Sequence, residues 1–312
     1  MSDYTLGVDI SKALLDVHRL PEGECAQFSN DKKGHKALIR WLNGLVVTRV
    51  VYEPTGAYHR GFEKRLAEVG LPLIKVNPLQ ARRFSQARGQ RAKTDKVDAR
   101  MLAEMGLAFD LQADPVTPQI IHDLKELQVA RMALVKDRTR TRNRMHRLTL
   151  ALLKAQHKIR LRQIEKQLTA LQAEMQRLIA TEPQMVRKSA ILCSIKGISR
   201  ITAAALIAEI PELGSLEAKQ AASLAGLAPI ARDSGAWKGK RFIQGGRKFL
   251  RETLYMPALV ASRFNPDLAA KYQALKAAGK PSKVALTAIM RKLIILANVL
   301  IRENRTWQEK RP

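Results

Sequence analysis

Tyr4-Thr5-Leu6-Gly7-Val8-Asp9-Ile10 alternates with the two-residue period of a strand and carries Asp9 near its carboxyl end. Residues 13–20, Ala13-Leu14-Leu15-Asp16-Val17-His18-Arg19-Leu20, predict a second strand, and Pro21-Glu22-Gly23 turns the chain into a short third strand at Ala26-Gln27-Phe28. Asp31 to Leu42 reads as a helix with Leu38, Ile39, Trp41 and Leu42 on its apolar face. Val46 to Tyr52 is a β-branched strand ending in Glu53-Pro54-Thr55-Gly56. Pro54 stops the ladder and leaves Glu53 at the end of a central strand. His59 to Val69 reads as a helix and Leu71 to Val76 as another strand. Three strands, helix, strand, helix, strand describe an α/β domain with a mixed sheet, whose ligands gather at the carboxyl ends of its strands. Asp9 and Glu53 both lie there.

Asn77 to Gln90 is basic without clear periodicity, a loop or short helix suited to phosphate contact. Lys93-Thr94-Asp95-Lys96-Val97-Asp98-Ala99-Arg100-Met101 then opens a helix running to about Ala108, with Thr94 as N-cap and Asp95 and Asp98 three residues apart on one face. Two carboxylates so close repel each other and favour a cation between them. Arg88, Arg91, Lys93, Lys96 and Arg100 suit a phosphate backbone nearby. Alone, the stretch is an ordinary salt-bridged helix start, and Asp9 and Glu53 singly are strand-end turn residues. The four acids together favour a metal site. Asp114-Pro115-Val116-Thr117-Pro118 closes the first domain, residues 1–114.

The 312 residues allow two or three domains. Lys and Arg number 55 against 28 Asp and Glu, a net charge of +27 that points to a polyanion: nucleic acid first, anionic membrane second. No apolar run approaches the ~20 residues of a spanning helix, and the N-terminus lacks the pattern of a signal peptide. Cys25 and Cys193 form no CxxC or Cys/His cluster, which fits a reducing cytoplasm without disulfides or structural zinc. Aromatic residues are 5% of the chain, too few for an aromatic platform to be the main recognition mode.

From Gln119 to Ala180 apolar residues recur at three- and four-residue steps without Gly or Pro: one or two long helices, an antiparallel pair or a coiled coil for self-association. Within this region, residues 115–183, the run from Lys136 to Arg147 is basic. Its acids are too few to pair with Arg138, Arg140, Arg142, Arg144 and Arg147, so nucleic-acid contact outweighs a merely solvated face. Pro183 ends it. In residues 184–312, Ile191 to Ser199 and the helix from Ile201 to Ile210 read as helix, glycine turn, helix, with Lys196 and Gly197 in the turn. The turn and the second helix's N-terminus offer free N–H groups to a phosphate. A short helix spans Ala218 to Ala225. The polar loop Arg232-Asp233-Ser234-Gly235-Ala236-Trp237-Lys238-Gly239-Lys240-Arg241 follows, ending at Gly245-Gly246-Arg247-Lys248. Ser234 stands among Arg232, Lys238, Lys240, Arg241 and Arg247, charge that a serine attacking a phosphodiester needs on the phosphoryl oxygens. By spacing alone a phosphate-binding or turn serine is the favoured reading. Phe249 to Ser262 reads as an apolar helix, and Lys283 to Ile301 as a core helix.

Taken in order, several short motifs resemble those of one family. They are Gly7-Val8-Asp9-Ile10-Ser11-Lys12, Glu53-Pro54-Thr55-Gly56-Ala57-Tyr58, Val76-Asn77-Pro78 and Lys93 to Arg100, then Ile195-Lys196-Gly197-Ile198, Ala225-Gly226-Leu227-Ala228-Pro229, Ser234-Gly235 and Leu250 to Ala258. The chain resembles, over nearly its whole length, the DEDD-type transposases of bacterial insertion sequences guided by a bridge RNA, relatives of the pilin-gene DNA invertases. Where that family usually has Pro-Gly-Ile-Gly, this chain has Lys196-Gly197-Ile198-Ser199. The resemblance implies an N-terminal RuvC-like (RNase H-like) α/β domain with Asp9, Glu53, Asp95 and Asp98 as catalytic Mg2+ ligands. It implies a coiled-coil middle and an all-α C-terminal transposase domain with a helix-hairpin-helix-like element and Ser234 as nucleophile. It further implies a cytoplasmic recombinase that joins target and donor DNA under a structured guide RNA, as a homo-oligomer: a dimer, or a tetramer built as a dimer of dimers. The acids and Mg2+ of one subunit would serve Ser234 of a neighbour. A metal-dependent nuclease or junction resolvase, with Ser234 merely binding phosphate, is the alternative, and an immobilised, non-catalytic remnant is another.

Overall fold

The computed structural model describes residues 3–54, 56, 58–89, 95–115, 117–235 and 237–308, with the side chains of Asp95 and Lys96 outside that description. The chain divides into two compact units, Met1–Val116 and Thr117–Pro312.

The first unit runs β1 (Tyr4–Ile10), β2 (Leu14–Leu20), β3 (Glu24–Ser29), α1 (Lys32–Trp41), β4 (Val47–Tyr52), α2 (His59–Ala67), β5 (Leu73–Lys75), α3 (Pro78–Ala87) and α4 (Asp95–Ala108). Its described strands form one sheet in the order β3-β2-β1-β4-β5. β1 is antiparallel to β2 and parallel to β4; β2 and β3 are antiparallel, β4 and β5 parallel. This is the mixed sheet expected, and it is consistent with an RNase H-like architecture. The basic segment after Asn77 is helical: the Asn77 side chain accepts from the Leu79 amide, and Pro78 takes the first position, where its missing N–H costs nothing.

Alternation along the strands gives the sheet two faces. Leu6, Val8, Ile10, Leu15, Val17, Val50 and Tyr52 form one buried layer with Leu38 of α1 and Phe62 and Leu66 of α2. On the other face Val51 and Ile74 pack with Leu102 and Met105 of α4. α4 crosses β1 at backbone contact. A Cβ built on Gly7 would stand 1.9 Å from the Ala99 carbonyl oxygen and 2.4 Å from the Ala103 nitrogen, and one on Gly106 would stand 2.5 Å from Val51 Cγ2. Ala99 therefore sits over Gly7 while Gly106 sits over Thr5 and Val51. The helix runs antiparallel to β1, so its first turn lies at the Asp9 end.

The second unit runs α5 (Gln119–Met145), α6 (Ala151–Ala180), α7 (Pro183–Ser194), α8 (Arg200–Glu209), α9 (Ala218–Leu224), β6 (Pro229–Ile230), β7 (Asp233–Ser234), β8 (Trp237–Lys238), β9 (Phe242–Ile243), α10 (Lys248–Phe264), α11 (Pro266–Ala277) and α12 (Ser282–Arg302). α5 and α6 pack as a long hairpin, and Ile121, Leu124, Met175 and Ile179 at its base belong to the same core as α7, α8, α10 and α12. No break in packing thus falls at residue 183. The part expected to be all-α holds two short ribbons, β6–β9 and β7–β8, because its Gly- and Lys-rich loop buries too little for a helix and pairs locally instead. α11 was not anticipated; Asn265 caps it and Pro266 begins it. α12 corrects the expectation about apolar runs: over Ser282–Arg302 it is long and apolar enough to cross a membrane by composition. Its Leu286, Ile289, Leu293, Ile294, Ala297 and Leu300 are buried in the core, which accounts for that composition.

Two outcomes follow for the first unit. Gly7→Ala forces α4 off β1 and costs at least about 3 kcal/mol, the upper part of the range for overpacking, read as a lowered unfolding temperature by circular dichroism. His18 and His35 are each held below the ordinary 6.5, by burial first, then for His18 by the charge of Arg100 and for His35 by that of Arg65 against the opposing pull of Asp31. The unfolded chain therefore takes up protons below about 6.5 that the folded unit refuses, so stability is full above that pH and falls as pH drops below it. Melting temperatures between about pH 7.5 and pH 5.5 measure the slope, which His35→Asn should reduce.

Candidate functional site

In the first unit the glycine contact decides which side chains meet. Thr5, Gly7 and Asp9 share one face of β1, and Val51 and Glu53 share the same face at the end of β4. The β1–β4 register pairs Val8 with Tyr52, which puts Asp9 and Glu53 on the next rung. Asp98 immediately precedes Ala99, the residue resting on Gly7. Asp9, Glu53 and Asp98 are half-buried and converge on one end of this face. Tyr52 fixes the end of β4 from the other side: it is fully buried, meets Phe62 edge-on with ring centroids 5.4 Å apart, and its hydroxyl is pushed well above the usual tyrosine range by burial and by Glu63.

The helix containing Asp95 begins in this place, while its side chain, Thr94 as the expected N-cap, and Arg91 and Lys93 lie outside the described residues. Among the described residues no three carboxylates, imidazoles or thiols already stand at metal-ligand spacing. The donor set is nonetheless all carboxylate oxygen on one face, which fits a hard divalent cation rather than zinc. One acid on this face was missed. Asp16 pairs directly across from Asp9 in the β1–β2 register, is 5% exposed, and accepts from Gln27 Nε2 at 2.9 Å. Only the hairpin register could have revealed it.

Around the acids the cations are partly committed. Glu104 accepts from Arg100 Nε at 2.7 Å and from Arg88 at 2.9 Å. Burial alone would raise the Glu104 carboxyl, but these two guanidinium groups outweigh it and hold it below its ordinary value. Arg88 remains more than half exposed while paired.

In the second unit the Ser234 loop is held at its feet. A Cβ on Gly226 would stand 2.3 Å from the Gly245 carbonyl, and one on Gly246 would stand 2.2 Å from the Gly226 nitrogen. Two backbones touch there, explaining both the Ala225-Gly226-Leu227 motif and the Gly-Gly pair. The Arg247 amide donates to the Leu224 carbonyl, and its guanidinium donates to both Glu212 oxygens and to the Glu209 carbonyl. Arg247 thus anchors the loop, a structural role that the sequence did not reveal. The same holds for Gly197, whose φ of +112° and close approach to the Pro257 carbonyl make it a packing residue against α10. Lys196 next to it is exposed, its ammonium 5.5 Å from the Trp307 ring centroid.

Above the feet, β7 and β8 pair Asp233 with Lys238 and Ser234 with Trp237. Gly235 takes φ +54°, the left-handed conformation required at the first position of a two-residue hairpin loop. One face of the ribbon is pinned by Asp233, which accepts from Arg241 at 2.6 and 2.8 Å and from the Gly239 amide. The Arg241 guanidinium holds that carboxyl below the usual range. The other face carries Ser234 and Trp237, both exposed. Arg232 stacks over Phe242 at 4.5 Å, and Lys238 and Lys240 are exposed. Among the described residues no histidine or carboxylate is hydrogen-bonded to Ser234 Oγ.

The basic run of α5 is more paired than its sequence suggests. Glu165 of α6 accepts from both Arg138 and Arg142, and Arg140 pairs with Asp137. Arg144 and Arg147 are exposed at the hairpin's end.

Residues 6–154 match a DEDD-type IS110 transposase family, and residues 189–273 match the transposase family IS116/IS110/IS902. A pilin gene-inverting protein of Moraxella bovis is 28% identical over 328 aligned positions, and that of Moraxella lacunata is 29% identical, each alignment covering 99% of both chains. An acidic sheet end inside the first match and a basic hairpin inside the second, on a chain similar throughout to DNA-inverting proteins, give the conclusion: the chain carries the domains of an IS110-family transposase and is an enzyme of DNA recombination.

Proposed function

We propose that this transposase cuts and rejoins DNA through a covalent 5′-phosphoserine on Ser234, with Mg2+ held by Asp9, Glu53, Asp95 and Asp98 and with target and donor sequences read by a structured guide RNA. The observation that carries the reading is the Ser234 hairpin: a hydroxyl on the residue before a glycine turn, on a ribbon pinned from behind by Asp233 and Arg241, in a loop where Arg232, Lys238 and Lys240 are exposed. These cations offset charge on the phosphoryl oxygens as Ser234 Oγ attacks phosphorus. The P–O3′ bond breaks, Oγ gives up its proton and the departing 3′ oxygen gains one. The reverse step onto a second DNA end restores the phosphodiester. Its energy is kept in the serine ester, so strand exchange needs no nucleotide hydrolysis. Mg2+ on the carboxylate face supplies Lewis-acid neutralisation of phosphate charge when bound. Asp9, Glu53 and Asp98 are half-buried on that face, where burial strengthens their hold on a cation.

Guide RNA accounts for the net charge of +27, far beyond what solubility requires. The protein reads backbone and shape while base pairing reads sequence, as in other RNA-guided systems. Self-association is supported by the hairpin end, where Leu150, Leu152 and Ile159 are 64, 69 and 59% exposed.

Ser234→Ala should abolish the denaturant-resistant protein–DNA adduct and leave DNA and RNA binding within a few-fold. Asp98→Asn should abolish Mg2+-dependent cleavage. Cleavage by Ser234→Ala without any adduct replaces this reading with a metal-dependent nuclease or junction resolvase. Replacing Arg144 and Arg147 by Gln should lower the log–log salt slope of RNA binding by roughly 0.7–0.9 for each phosphate that is no longer neutralised. RNA that co-purifies with the protein, once sequenced, should pair with the DNA it recombines.

A further inference from the structure

Trp237 stands directly across the β7–β8 ribbon from Ser234 and is 63% exposed. Directly paired residues project on one face with Cβ atoms about 5 Å apart, so the indole lies within one nucleotide of any phosphorus Ser234 engages. The ring is also held. A Cβ on Gly239 would stand 2.6 and 2.8 Å from the Cη2 and Cζ3 atoms of Trp237, so the missing side chain makes the seat for the six-membered ring. Gly239 is itself tied by its amide to the Arg232 carbonyl and to Asp233. Trp237 is therefore an aromatic surface set in place from one side and open on the other. Burial cannot account for it, because most of its area stays in water. The loop's free charge is of one sign: Arg232 and Lys240 are exposed in the same loop, while its one acid, Asp233, lies on the opposite face with Lys238 and is occupied by Arg241.

We propose that Trp237 is a positioning residue that stacks on the unpaired DNA base next to the phosphodiester attacked by Ser234. The inference rests on the reading of Ser234 as nucleophile. Within a duplex each base already has neighbours on both faces, so an indole can take a base only where the strand has been opened. Strand exchange requires that opening at the point of cleavage. Stacking there holds the freed nucleotide and sets the direction of its phosphate toward Oγ. It is tolerant of sequence, since every base offers a π face, and leaves sequence choice to other contacts.

The test uses the full chain with a single-stranded oligothymidylate, the same oligonucleotide with abasic residues, and an oligouridylate. Oligothymidylate should quench the tryptophan fluorescence. Trp237→Phe should remove most of that quench, since Trp41 and Trp307 are the other tryptophans, and the abasic strand should quench little in either protein. Trp237→Ala should lower affinity for oligothymidylate and the rate of adduct formation by about tenfold, as loss of one stacked base does, with Trp237→Tyr restoring most of it. Ser234→Ala should keep the quench and lose the adduct, which separates this inference from the one beneath it. Quenching that survives in Trp237→Phe, equal quenching by the abasic strand, or quenching by oligouridylate alone overturns the proposal. An unchanged unfolding temperature in Trp237→Ala assigns any loss to binding.

Discussion

Contact between two main chains, at Gly7 of β1 and Ala99 of α4, sets the geometry of the first unit. With its Cβ position 1.9 Å from a carbonyl oxygen, residue 7 has no tolerance for any side chain. A helix normally rides about 10 Å from a sheet on a layer of side chains. Here it descends onto the strand, and a second glycine at 106 lets its later turns follow over Val51. The consequence is chemical. Asp98, next to Ala99, comes down to the level of the acids at the strand ends, where ordinary packing would leave it a side-chain layer apart. Like charges brought together in this way repel, and the unit offsets that cost with burial on the opposite face, where Leu6, Val8, Tyr52 and Phe62 are fully sequestered.

The second unit uses the same device for another end. Gly226 and Gly246 let two backbone segments touch, and Arg247 ties the contact to Glu212 and the end of α8. Burial alone would raise the Glu212 carboxyl, yet the Arg247 hydrogen bonds keep it below its ordinary value, so the pair is ionised and directional. A hairpin with so little apolar contact of its own gains its orientation from these feet and from the Asp233–Arg241 fork. In both units the candidate site rests on glycines and paired ions.

Much of this was legible in the chain. The two-residue period gave β1 and β4 almost to the residue, and the apolar steps ended α4 near Ala108, where the structure ends it. Asp9 and Glu53 were singled out because strand ends are where α/β sheets place their ligands. Asp16 was not, since its role depends on which residue lies across the hairpin, and register is a property of two strands together. The structural partners of Arg247 and Gly197, Glu212 and Pro257, lie 35 and 60 residues away in sequence and could not be read from it. The run from Arg138 to Arg142 looked unpaired for the same reason: Glu165 sits on the returning helix. The two-residue ribbons are too short to leave any period at all.

What the sequence could not convey, the electrostatics of the hairpin make plain. Ser234 Oγ sits in water with cations beside it and no base bonded to it among the described residues. In that state a hydroxyl is a poor nucleophile, because bulk water screens the nearby charges and leaves its pKa high. On the proposed reading, DNA is the missing part. A phosphodiester laid against this loop and its exposed Arg232 would displace water, and the same charge would then act at several-fold lower effective dielectric. On the proposed reading of Ser234 as nucleophile, the hydroxyl is inert toward solvent until the strand it attacks has completed the site. For the phosphoserine chemistry proposed here, an exposed and unactivated serine is the safer resting arrangement, and it follows directly from a pinned but open ribbon.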